Sequence, residues 1–170
     1  MERPRVICHM ASSLDGRILP ERWSPRDAHD HQLYEELHRR MHGRSWIVGR
    51  TTAQEFARGQ PYSTSAARVE REAWLPCRDA SSYAFMIDAH GKIAWGRKEV
   101  DGEPIVVLLT EAVSDDHLAG LRSDGVGYMF AGRDAFDLAE ALCAIRRELN
   151  VEQLMLEGGG VMNGAFVRAG

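Results

Sequence analysis

The chain has 170 residues, of which 44% are hydrophobic and 27% charged, and carries a formal net charge of −4 with a pI near 6.0. That length and composition describe one domain with one substantial core, and exclude the strongly basic field that nucleic acids or anionic membranes attract. No apolar run approaches the roughly 18 residues of a membrane span, and the first five residues lead into a strand-like segment without a signal-peptide core. Cys8, Cys77 and Cys143 are odd in number and lack metal-like spacing, so they read as free thiols in a reducing compartment. The expected location is the cytoplasm.

Residues 6–11 form a short apolar run with strand character, buried on both faces apart from His9. Ser12-Ser13-Leu14-Asp15-Gly16 follows, where Asp-Gly signals a turn. Residues 17–19 read as briefly extended and 20–25 as loop, with Trp23 needing either a packing site or a ligand to cover. Asp27 or Asp30 caps a helix running to about His42, with Leu33, Leu37 and Met41 on one apolar face, Tyr34 beside them, and Gly43 as its stop. Residues 45–49 are the second strand, and Arg50-Thr51-Thr52 opens a helix to about Ala57. A short helix is expected over 66–75. Residues 83–88 are a third strand, and 92–95 another joined to it through His90-Gly91; 96–102 reads as a charged loop.

The clearest buried strand is 104–110, apolar almost throughout as parallel strands tend to be. Ser114 caps a helix to about Leu121 with Asp115 and Asp116 in its first turn. Residues 127–131 are a strand, followed by a helix that Asp134 or Asp137 precedes, that carries Leu138, Ala141, Leu142, Ile145 and Leu149, and that Asn150 ends. Arg146 and Arg147 suit the C-terminal dipole of that helix. Last come a strand over 153–157, the triplet Gly158-Gly159-Gly160, and helical spacing over 161–168.

Strands alternating with helices define an α/β domain with a mainly parallel sheet. Ligands of such sheets bind beyond the carboxyl ends of the strands. Asp15-Gly16, Gly49-Arg50-Thr51-Thr52, Asp88, Thr110, Ala131-Gly132 and Glu157-Gly158-Gly159-Gly160 all fall at such ends. A strand, glycine turn and helix bring phosphate to backbone N–H groups. Glycine is expected there because a Cβ would block the approach and because the turn calls for positive φ. Together these ends point to a phosphate-bearing ligand. His29, His31, His38 and His42 cluster on one helix, but no Glu or Cys completes a familiar motif with them, so no metal is expected.

Three stretches, in their order and spacing, carry a family likeness: Ser12-Ser13-Leu14-Asp15-Gly16-Arg17-Ile18, Trp46-Ile47-Val48-Gly49-Arg50-Thr51-Thr52, and Leu156-Glu157-Gly158-Gly159-Gly160-Val161-Met162-Asn163-Gly164-Ala165-Phe166. In them the chain resembles the reductase domain of bacterial riboflavin biosynthesis, the C-terminal domain of the bifunctional deaminase-reductase, and more broadly the dihydrofolate reductase-like superfamily. The resemblance implies a three-layer fold with helices flanking a mainly parallel sheet, and NADPH as hydride donor. It implies that Gly158, Gly159 and Gly160 face the cofactor pyrophosphate. Gly49, Arg50, Thr51 and Thr52 would contact phosphates from the other side, Asp88 would lie towards the adenosine end, and Thr110 is counted among the cofactor-binding residues. Asp15 and Glu157 take the catalytic places, and Ser13 and Arg39 join them in substrate binding. The implied substrate is a small molecule, a ribosylamino-pyrimidine phosphate reduced at the sugar C1′, and the implied assembly is a homodimer, with no nucleic-acid or membrane partner.

The chain departs from the family pattern in two places. The stretches Arg22-Trp23-Ser24-Pro25-Arg26-Asp27 and Tyr34-Glu35-Glu36-Leu37-His38-Arg39-Arg40 replace the substrate-holding Ser-Trp-Ile-Thr and Asp-x-His-x-Leu-Arg patterns, leaving Arg39 or Arg40 to meet the ribose phosphate. Family members also continue past Gly170 with two further strands. A single domain over 1–170, truncated at its C-terminus or completed by another chain, is therefore expected. Other functions compatible with the same residues are reduction of another small heterocycle and a non-catalytic nucleotide-binding module.

Overall fold

The computed structural model describes residues 2–19, 22–23, 25, 31–41, 45–63 and 68–170. The expected caps Asp27 and Asp30, the stop at Gly43, and His29 and His42 lie outside the described residues.

The elements are, in chain order, β1 (Arg5–Cys8), α1 (His31–Arg40), β2 (Trp46–Gly49), α2 (Arg50–Phe56), β3 (Ala84–Ile87), β4 (Glu99–Val100), β5 (Glu103–Leu109), α3 (Asp115–Asp124), β6 (Gly127–Phe130), α4 (Leu138–Leu149), β7 (Gln153–Leu156) and α5 (Gly160–Ala169). The sheet runs β1-β7-β2-β3-β5 in space, with β6 also paired to β5. All of these pairings are parallel; only the two-residue β4 lies antiparallel, on the start of β5.

Alternation along the strands divides the core into two layers. Trp46 and Val48 of β2, Met86 of β3, and Ile105, Val107 and Leu109 of β5 join Ala53 of α2 and Leu118 and Leu121 of α3 on one face. Ile47, Phe85, Val106, Leu108, Met129, Leu154 and Leu156 join Ala141, Leu142 and Ile145 of α4 and Phe166 of α5 on the other. Strands buried on both faces explain the near-continuous apolar run that β5 shows in the sequence. The three-layer α/β expectation is therefore met.

Helix ends follow the chemistry read from the sequence. The Ser114 side chain accepts from the His117 N–H, and Gly125 closes α3 at φ 74°. Asp137, not Asp134, caps α4 by accepting from the Glu140 N–H, and Asn150 ends it at φ 51°.

Four expectations are corrected. The first strand is not buried on both faces: it sits at the sheet edge with Arg5 and Cys8 exposed, while His9 just beyond it is buried. The described part of 66–75 is not helical. Trp74 makes an antiparallel bridge with Tyr128, and Arg71 ties the segment to the carbonyls of Glu111 and Val113 and to the Asp115 carboxylate. Residues 92–95 form no strand; the carbonyls of Ala94 and Trp95 accept instead from the N–H groups of Gly59 and Arg58. The charged loop expected over 96–102 contains β4.

Candidate active site

Of the adjacent parallel strands β2 and β7, β2 runs directly into α2, and β7 reaches α5 through Glu157, Gly158 and Gly159. The N-caps of α2 and α5 are Gly49 and Gly159, and neither helix has a side-chain cap. Since α3 and α4 cap themselves, the contrast leaves the first-turn N–H groups of α2 and α5 available to an outside acceptor. The two turns also touch through one residue. A Cβ on Gly49 would sit 2.8 Å from Cγ of Met162, and one on Gly158 would sit 2.6 Å from Cβ of Met162. Met162 thus wedges the two glycine turns side by side.

The glycine triplet divides its work. Gly158 is required by the close approach of Met162. Gly159 meets only Ile18 Cδ1, at 3.9 Å, and a Cβ on Gly160 would meet nothing within 4 Å. None of the three has positive φ, so the expected conformational reason for glycine is corrected to a reason of space. Positive φ is used instead at Gly16, at 80°, as the Asp-Gly turn requires.

Arg50 and Thr51 are exposed in the first turn of α2, and Thr52 is half-buried. Asp88 and Thr110 are turned to local work. Asp88 Oδ2 accepts from the N–H groups of Lys92 at 2.7 Å and Ile93 at 2.8 Å, and the Thr110 hydroxyl donates to the Ala89 carbonyl at 2.8 Å.

Asp15 lies in the loop after β1. Ser13 Oγ donates to Asp15 Oδ1 at 2.5 Å, and Arg17 Nε stands 2.9 Å from Oδ2. The Ser13 hydrogen bond first, then the Arg17 charge, holds the Asp15 carboxyl below the usual carboxylate range. This loop borders a cavity of about 490 Å³ together with Arg22 and Trp23. Trp23 itself is packed, its indole N–H donating to the Arg17 carbonyl at 2.8 Å.

Glu157 follows β7 and projects into a cleft of about 440 Å³ between α1 and α2. Its Oε1 is met by Nδ1 of His38 at 2.7 Å and by Nδ1 of His9 at 3.4 Å. Tyr34 stacks on His9 with ring centroids 4.0 Å apart. Burial, followed by the neighbouring Glu157 carboxylate, pushes the Tyr34 phenol far up, so it stays protonated. Tyr34 and His38 share one face of α1 because they are four residues apart. Across the cleft, the Trp46 indole donates to the Glu103 carboxylate, and burial pushes the Glu103 carboxyl up. The described lining also includes Glu35, Asp101, Thr52, Val48, Phe56 and Val100, and no Arg or Lys. Arg39 is exposed and outside that lining, and Arg40 pairs with Glu36 on the helix surface.

Of the residues singled out in the sequence, Glu157 and Thr52 line this cleft and the two glycine turns lie side by side; sequence reading gave no site role to His9, Tyr34, His38 or Glu103. The available signals were a lone histidine closing an apolar run and a Tyr-x-x-x-His spacing on α1.

A three-layer α/β domain with two uncapped helix N-termini beside a carboxylate–imidazole cleft has the build of a nucleotide-dependent enzyme. The chain belongs to the family described as the RibD C-terminal domain, whose model matches residues 4–170, and it is a pyrimidine reductase-type enzyme of that family. The fold is shared with the riboflavin biosynthesis reductase Rib7 of Saccharomyces cerevisiae, at 20% identity and a TM-score of 0.57 over 98% of this chain and 68% of that one. A pyrimidine reductase-like protein of Corynebacterium diphtheriae shares it at 13% identity and a TM-score of 0.64, over 98% of this chain and 70% of that one. No curated protein matches the chain. Among the described residues no helix is long and apolar enough to cross a membrane.

Proposed function

We propose that this chain reduces a ribosylamino-pyrimidine, or a close heterocyclic relative, with NADPH as hydride donor. The observation that carries the reading is the pair of uncapped helix N-termini, pressed together through Met162 next to the Glu157 cleft. The residues fit a dinucleotide: Gly159 and Gly160 leave the helix end open, and Arg50 places a cation at the neighbouring turn. Gly49, Arg50, Thr51 and Thr52 would hold phosphate oxygens from one side and Gly158, Gly159 and Gly160 from the other. When bound, NADPH supplies the hydride. Ser13 and Asp15 would border the substrate from the loop after β1, and Glu157 from the end of β7. The functional unit we propose is a cytoplasmic homodimer.

A second reading of the substrate rests on the cleft's charge. Glu35, Asp101, Glu103 and Glu157 line it, so a phosphate dianion entering there would meet four carboxylates and, among the described residues, no Arg or Lys. This favours a heterocycle without phosphate, still reduced with the same donor.

Fluorescence titration with NADPH, followed by assay on phosphorylated and dephosphorylated ribosylamino-pyrimidines, tests both readings. Saturable binding with turnover of either compound is expected, and preference for one selects the reading. Absence of NADPH binding at high micromolar concentration would overturn the proposal. Complementation of a riboflavin auxotroph separates a pathway enzyme from a paralogue.

A further inference from the structure

Reducing a C=N bond takes a hydride at carbon and a proton at nitrogen. We propose that His38 is the proton donor of the reaction and that Glu157 and His9 position it. The inference rests on the reductase reading above and adds the acid that reading lacks.

His38 is the imidazole that lines the cleft. Its Nδ1 is engaged by Glu157 Oε1 at 2.7 Å, which leaves Nε2 to exchange a proton with a cleft ligand. A carboxylate that fixes one imidazole nitrogen sets the tautomer and aims the other, the logic by which general acids and bases are oriented. His9 approaches the same oxygen from β1 at 3.4 Å. It is 7% exposed and stacked on Tyr34, so it supports the carboxylate from behind and does not line the cleft. In the reaction, hydride adds to the imine carbon and the C=N pair moves onto nitrogen. Nitrogen then takes the proton from His38 Nε2. NADPH, when bound, would supply the hydride and its two electrons; the imine becomes an amine, and solvent restores the His38 proton.

A metal is the other use of two histidines and a glutamate, and the three ligand atoms lie within 4.8 Å of one another. Two ligands of a tetrahedral zinc stand about 3.3 Å apart. The 2.7 Å between His38 and Glu157 is a hydrogen bond instead. The ionisable groups facing His38 are Tyr34 and Glu35 of α1, His9 after β1, Glu157 after β7, and Asp101 and Glu103 across the cleft.

The test pairs His38→Asn and His9→Asn with the wild type. His38→Asn is expected to lower kcat about 100-fold, to leave KM and NADPH affinity near wild type, and to remove the alkaline fall of the pH–rate profile. His9→Asn is expected to lower kcat about 10-fold and keep that fall. In the ligand-free protein at a fixed pH, nitrogen NMR is expected to show His38 Nδ1 hydrogen-bonded to Glu157, and Glu157→Gln to change that signal. Unchanged kcat and pH profile in His38→Asn would overturn the proposal, as would a His38 Nδ1 signal that Glu157→Gln leaves unchanged, or stoichiometric zinc in the purified protein. The NMR arm stands even where no substrate turns over, so failure of the reductase reading is separately visible.

Discussion

Glu157 and His117 show how differently two ionisable residues at strand-end level can be used. Glu157 opens into a cleft and shares its oxygen with two imidazoles. His117 sits in α3 with its imidazole buried, edge-on to Tyr62 at 5.1 Å, and with no partner for Nε2 among the described residues. Burial holds the His117 imidazole below its ordinary range; Asp88 opposes this and Lys92 adds to it. The unfolded chain then binds a proton below about pH 6.5 that the folded chain refuses. Stability contributed by the neutral ring is present above that pH and is lost as pH falls. Replacing His117 with Gln is expected to flatten the change in urea midpoint between about pH 7 and 5, relative to wild type. An identical acid dependence in the two proteins would show that His117 is not linked to folding. Residue-level function was only partly legible in sequence. Glu157 stood next to its glycines, whereas His9 and His38 lie 148 and 119 residues from it and meet it only through the sheet order β1-β7 and the packing of α1.

Elements were legible where a local pattern matched the final environment. β5 is buried on both faces, and its apolar run said so. α3 and α4 carry their own caps; Ser114 was readable as one, and the other was narrowed to Asp134 or Asp137, of which the structure uses Asp137. The misread segments owe their conformation to distant partners. Residues 68–75 are held out of a helix by Tyr128 and by the loop before α3, which outweighs a weak helical preference. The glycine turn gives this scale its sharpest test, because neighbouring glycines answer to different forces. Gly158→Ala puts a Cβ 2.6 Å from Cβ of Met162, an overpacking expected to cost about 1–3 kcal/mol of stability. Gly160→Ala meets nothing and removes a flexible residue at a helix start, so stability should hold or rise by up to about 1 kcal/mol. The same methyl would stand where backbone N–H groups face the proposed pyrophosphate. NADPH affinity is therefore expected to fall about tenfold, a loss of about 1.4 kcal/mol. Thermal melts and NADPH titrations of both variants check this. Gly160→Ala with unaltered NADPH affinity would remove the triplet from the phosphate site.

At the scale of the whole molecule, the sheet's two margins are unlike. The β5 region is flanked by β6 and β4 and lies deep in the core. At the opposite margin β1 pairs with β7, and no other strand among the described residues pairs with it. Its residues are exposed or half-exposed, and an open parallel edge offers N–H and C=O groups to any other strand. Exposed Leu14, Leu33, Leu37, Val161 and Val167 add apolar surface elsewhere on the fold. A net charge of −4 on 170 residues gives little repulsion to oppose contact between copies. We propose that strands from outside residues 1–170, or from a second chain, complete the sheet at β1. Residues 1–170 alone should then associate in a concentration-dependent way across about 1–100 µM in sedimentation velocity. Hydrogen exchange should slow at β1 as association proceeds, because pairing protects the amides that now face outward. A species that stays monomeric over that range, with β1 amides unchanged, would show that this edge needs no further strand.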